Sequence, residues 1–108
     1  MSETLELVRA LVEQDKFRVS LHAAQELIAD GLLIEPIIRD ISTAIVVEDY
    51  PDYHKGAAVL VLQVDEAGEP IHLVWRLPKG ESAPAVLVTA YRPDPQRWDA
   101  SFTRRRQR

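Results

Sequence analysis

Cysteine is absent from the 108 residues. That excludes disulfides, thiolate nucleophiles and cysteine-ligated metal sites, and it fits a reducing compartment. No apolar run approaches the ~20 residues needed to span a bilayer. The start Met1-Ser2-Glu3-Thr4 is acidic, and the first apolar residues are interrupted by Glu6 and Arg9, so no secretory leader is expected. The expectation is a cytoplasmic chain that makes no use of a membrane. Glycine is scarce, at four residues, and none forms a phosphate-cradling loop or a G-x-S-x-G elbow. The three histidines, His22, His54 and His72, lack ligand-like spacing, so neither a metal nor another cofactor is expected.

What is present is ordinary globular material. Hydrophobic residues make up 46% and charged residues 28%, enough for one small domain with a modest core. The net charge of −4 conceals an asymmetry. Residues 97–108 hold Arg97, Arg104, Arg105, Arg106 and Arg108 against Asp99, which is +4 and leaves −8 on the remainder. The expected organisation is a single domain over 1–100 and a basic tail over 101–108. Such a tail reads either as a solubilising terminus or as a contact for a polyanion such as RNA. If it holds RNA by charge, removal of 103–108 weakens the affinity.

The first half has helical periodicity. Ser2 suits an N-cap, Glu3 and Glu6 suit the positive end of the helix dipole, and Leu5, Val8 and Val12 recur at helical spacing, so a helix is predicted near 3–14. Phe17-Arg18-Val19 reads as a short extended piece. Ser20 caps a second helix near 21–30, which Gly31 stops. Pro36 fits the first turn of a third helix, with a stripe of Ile34, Ile37, Ile38, Ile41 and Ile45.

The period then changes to two. A strand begins near Ala44–Glu48, and the runs Ala57–Val64, Ile71–Leu77 and Val86–Tyr91 give three more strands, separated by turn-rich segments. Pro93 and Pro95 stop the pairing. The fold class predicted is α+β, with N-terminal helices on one face of an antiparallel sheet and Ile71–Leu77 between its two neighbours. Setting Ile71, Leu73, Trp75 and Leu77 on the helix side, with Ala58, Leu60, Leu62 and Val64 and with Val86, Val88 and Ala90, pairs Leu73 with both Ala90 and Leu62. The other face then carries Gln63, His72, Arg76, Thr89 and Tyr91, with His72 across from Tyr91.

That second face holds the chemistry. An imidazole exchanges protons near neutral pH, so His72 is the leading acid–base candidate. Arg76 could hold a phosphate, and Tyr91 could orient or stack on a base. The plain alternative is a His–Tyr cross-strand pair that stabilises a half-exposed sheet. His22 reads first as a helix-entry residue. Tyr50, Tyr53 and His54 with Lys55 make an aromatic loop, read either as a stacking platform or as a turn held by its own rings. Trp75 belongs to the core, and Trp98 is expected to fold back on the sheet edge.

Several stretches occur together and in order: Ser20-Leu21-His22-Ala23, Asp49-Tyr50-Pro51, Val59-Leu60-Val61-Leu62, Gly68-Glu69-Pro70-Ile71-His72-Leu73-Val74, and Thr89-Ala90-Tyr91-Arg92-Pro93-Asp94 with Trp98 after it. This order, over about residues 17–100, resembles the bacterial family called domain of unknown function 4258 (DUF4258). The resemblance implies a distant relation to the RelE/ParE toxins, which pack helices on an antiparallel sheet. It also implies a toxin of a type II toxin–antitoxin pair, with metal-independent endoribonuclease activity on mRNA, in some cases on the ribosome. A zinc-finger antitoxin protein is the partner it implies. His22, His72 and Tyr91 match the family's recurrent polar positions. The catalytic candidates are therefore His72, His22, Tyr91 and Arg76, and the RNA-binding candidates are Arg92, Arg104, Arg105 and Arg106. The competing class is a non-catalytic protein-interaction domain that uses the same sheet face or an open edge strand.

Overall fold

The computed structural model describes residues 2–107. Met1 and Arg108 lie outside the described residues. Helix α1 runs Glu3–Glu13, and α2 runs Leu21–Ala29. Each begins where a serine can satisfy a free amide. Ser2 Oγ accepts from the Leu5 N–H at 3.1 Å, and Ser20 Oγ accepts from the Ala23 N–H at 3.0 Å. The Ser20 hydroxyl also donates to the Val88 carbonyl at 3.0 Å, tying the start of α2 to the sheet. Gly31, at φ +64°, ends the second helical segment as expected.

The third helix is shorter than its isoleucine stripe. Helix α3 covers only Ile34–Arg39, Ile41 falls in a 3-10 turn over Ile41–Thr43, and Ile45 opens strand β2, where it is 55% exposed. The stripe carries no stop signal of its own. The end is set by tertiary contacts, because the Gln63 Nε2 amide donates to the carbonyls of Ile37 and Asp40 at 3.2 and 3.3 Å.

Strands β1 (Phe17–Val19), β2 (Ile45–Tyr50), β3 (Ala58–Val64), β4 (Pro70–Arg76) and β5 (Ala85–Tyr91) form one sheet in the order β1-β5-β4-β3-β2. The last four strands are antiparallel, with β4 between β3 and β5 as predicted. The extended piece at 17–19 adds a parallel edge strand, with Phe17 opposite Ala85. The chain is an α+β fold with helices on one face of a mostly antiparallel sheet.

The β4–β5 register matches the expectation at one end, with Leu73 opposite Ala90 and His72 opposite Tyr91. A bulge at Val74/Trp75 then sets Leu87 opposite Trp75 and Val86 opposite Arg76, so Leu87 joins the helix-side core in place of the expected Val86 and Val88. The β3–β4 register is displaced by one residue. Leu73 opposes Val61 and Leu62 opposes His72, so Val59, Val61 and Gln63 turn toward the helices, and Leu60 and Leu62 turn away. A one-residue slip exchanges the two faces of a strand, and β3 is aliphatic on both, so alternation alone could not set its phase. Gln63 is thus corrected to the helix side, where its amide closes the end of α3. Thr89 stays opposite Val74, and its hydroxyl donates to Glu26 of α2.

The helix-side core joins Leu5, Val8 and Val12 of α1 to Leu73, Trp75 and Leu87 of the sheet. Trp75 is fully buried, and Phe17 meets it edge-on at 6.3 Å between ring centroids. The opposite face is also partly covered. Leu60 and Leu62 are only 3% and 9% exposed, and what lies over that half is the C-terminal segment.

Candidate functional site

The segment after β5 is a folded hairpin. Asp94 starts a turn in which its carbonyl accepts from the Arg97 and Trp98 N–H groups at 2.9 and 3.1 Å. Trp98 then bridges to Arg105, the Asp99 N–H donates to the Arg104 carbonyl at 2.9 Å, and the Arg106 N–H donates to the Arg97 carbonyl at 2.8 Å. Asp99 braces the tip by accepting from the Ser101 hydroxyl, and that bond holds its carboxyl below the usual range. Trp98 is 3% exposed and stands edge-on against His72, with 4.6 Å between ring centroids. It packs on the sheet face, not on the edge expected from the sequence.

This hairpin closes over the residue that the sequence singled out. His72 is fully buried. Its Nε2 lies 2.7 Å from the Phe102 carbonyl oxygen, and its Nδ1 lies 3.1 Å from the Tyr91 hydroxyl. A carbonyl only accepts, so Nε2 carries the proton and Nδ1 accepts from Tyr91. The neutral imidazole therefore has one donor and one acceptor, and both are engaged. Burial pulls the His72 pKa below its ordinary value, offset in part by the hydrogen bond to Phe102. Burial also raises the Tyr91 phenol. Phe102 presents its carbonyl from the left-handed region, φ +60°, a conformation that bulky residues adopt only when their surroundings impose it.

A charged clasp fixes the hairpin. Arg105 grips Glu48 of β2 with two hydrogen bonds, Nε to Oε2 at 2.8 Å and Nη2 to Oε1 at 3.0 Å. Its guanidinium lies 4.7 Å from the centre of the Trp98 ring. The Tyr50 hydroxyl donates to the same carboxylate. Arg105 is the leading reason that the Glu48 carboxyl is held below its ordinary range. The order of contacts is Glu48, Arg105, Trp98, His72, Tyr91.

The other residues singled out by the sequence are dispersed. Arg76 shares the outer face but sits four residues along β4, roughly 13 Å from His72 at strand rise, where its Nη1 donates to the Lys55 carbonyl at 3.1 Å. His22 is on the exposed start of α2, 3.3 Å from Glu26. Arg92 pairs with Asp65 at 2.6 Å and donates to the Pro70 carbonyl. Arg106 donates to the Pro95 carbonyl at 2.7 Å, and Arg104 is exposed at the hairpin. So His72 and Tyr91 come together, Arg76 and His22 stay apart from them, and Arg92 and Arg105 already hold carboxylates. Sequence reasoning missed Glu48, Phe102 and the role of Arg105. The one signal for them was an aromatic residue, Trp98, soon after a proline stop.

Among the described residues, no group of three or more His, Asp or Glu side chains is placed to hold a metal ion. No helix there is long and apolar enough to cross a membrane. The family model of Domain of unknown function (DUF4258) matches residues 19–92, from β1 through the His72–Tyr91 pair to the end of β5. The chain belongs to this family. The matched stretch contains β2 to β5 and only the last residue of β1, and the hairpin that covers His72 lies beyond it. No curated protein and no solved structure matches the chain.

Proposed function

We propose that this cytoplasmic protein works by binding a protein partner and that His72 serves structure. The observation that carries this reading is the closure of His72, which is fully buried with both ring nitrogens occupied. A general acid or base must reach its substrate directly or through one water. The acidic charge balance, −4 overall, and the pairing of Arg92 and Arg105 with Asp65 and Glu48 also favour a protein over an RNA. A binding surface is at hand on α2, where Leu21 and Ile28, seven residues apart on one helix face, are 75% and 80% exposed, with Leu33 just beyond at 69%. Exposed aliphatic groups of this size mark interaction surfaces when they cluster.

A second reading rests on the same cluster. His72, Tyr91, Glu48 and Arg105 are the groups an endoribonuclease toxin would need, and a hairpin that lifted would uncover them. Inducing the protein in bacteria, with and without the neighbouring gene product, separates the two. The binding reading expects intact mRNA, with or without added ribosomes, and a partner complex that Leu21→Asp with Ile28→Asp abolishes without changing the melting temperature. RNA cleavage by wild type that His72→Gln removes, in a protein that still melts normally, overturns it.

A further inference from the structure

The hairpin covers only half of the outer sheet face. Beyond it, Tyr50, Ala58 and Arg76 stand opposite one another on β2, β3 and β4. A small residue between two long ones leaves a trough. Its floor is Ala58, Val74 and Val88, and its volume is about 460 Å³, within the ~300–1,000 Å³ of small-molecule sites. Tyr50 and Tyr53 flank it and are 43% and 44% exposed.

Lys55 completes the rim from the β2–β3 loop. That loop is clamped against the end of β4. A Cβ on Gly56, at φ +122°, would lie 1.9 Å from the Leu77 carbonyl oxygen, so only glycine fits there. The Lys55 carbonyl takes the Arg76 Nη1 hydrogen bond at 3.1 Å, and both residues line the trough. Arg39, Arg92, Arg97 and Arg105 each have a carboxylate partner. Lys55 and Arg76 have none among the described residues. Two uncompensated cations beside an apolar floor and two tyrosine rings match a ligand that joins an anion to a planar ring.

We propose that this groove binds a nucleotide, with the base against the tyrosines and the phosphate on Arg76 and Lys55. The site is separate from the α2 surface and does not depend on it. A free nucleotide and single-stranded RNA share this chemistry, so both serve as probes. Calorimetric titrations of the full chain with UMP, uridine, inorganic phosphate and a pentauridylate are expected to show saturable UMP binding that uridine and phosphate alone match only weakly. Arg76→Gln with Lys55→Gln should weaken UMP at least tenfold, and Tyr53→Ala should weaken it by about 5- to 150-fold, the worth of one stacked base. Arg39→Gln, on α3 away from the groove, should leave it unchanged. Pentauridylate binding more tightly than UMP, with a steeper salt dependence, identifies RNA as the source, and equal affinities identify the free nucleotide. Melting curves confirm that the variants are folded. No saturable binding of either probe, full affinity in the folded Arg76/Lys55 variant, or preference for an acidic peptide overturns the proposal.

Discussion

His72 shows how one buried polar side chain can hold two parts of a small protein together. Its ring links Tyr91 of the sheet to Phe102 of the hairpin. His72→Ala is therefore expected to cost about 2–4 kcal/mol, because it opens a cavity and leaves a half-buried hydroxyl and a half-buried carbonyl without partners. Chemical denaturation checks this. The sequence reading left His72 on a half-exposed sheet face, because it set Trp98 at the sheet edge and not over that face. The pH dependence follows from burial. The folded-state pKa of His72 lies below its ordinary value, so between the two the unfolded chain holds the extra proton. This contribution is complete above the unfolded pKa of ~6.5, falls as pH drops toward the folded pKa, and levels out below it. Glu48, with its pKa lowered by Arg105, adds a separate loss at lower pH, in the carboxylate range. Unfolding measured from pH 8 to 4 should show the first loss in wild type and not in His72→Gln, with the second present in both.

The C-terminal hairpin is the element that departs most from its sequence reading. Its arginines read either as a solubilising terminus or as a polyanion contact, yet Arg105 is a clasp and Trp98 a lid. Trp98→Ala is expected to cost about 3–5 kcal/mol, the usual worth of a buried tryptophan, and to expose Leu60 and Leu62 to an apolar dye. Arg105→Ala, which removes a partly exposed ion pair, should cost about 1 kcal/mol or less. Removing residues 103–108 takes away this clasp along with the charge, so any effect on RNA affinity would not report charge alone. Helices α1 and α2 were legible because capping serines and apolar spacing are local signals. The central place of β4 and the His72–Tyr91 pairing were legible because β4 sets Ile71, Leu73 and Trp75 against His72 and Arg76. The β3 register and the end of α3 were not, because aliphatic residues on every side erase the phase of the pattern.

At the scale of the whole molecule, the sheet is a partition. Helices bury one face, a hairpin buries half of the other, and the rest is an open trough lined by Tyr50, Tyr53, Lys55 and Arg76. Binding chemistry is left on the surfaces, and the acid–base group is inside. The family match covers β2 to β5 and stops before the hairpin, so the closed state of His72 depends on chain outside the matched region. The most direct measurement is a nitrogen-15 NMR titration of the His72 imidazole in the full chain. A neutral ring protonated at Nε2, with a pKa below 6.5 and slow exchange of its proton, is the result expected. An imidazole that titrates at or above 6.5 with rapid solvent exchange would contradict the account, since it would place His72 in the open where acid–base chemistry can reach it.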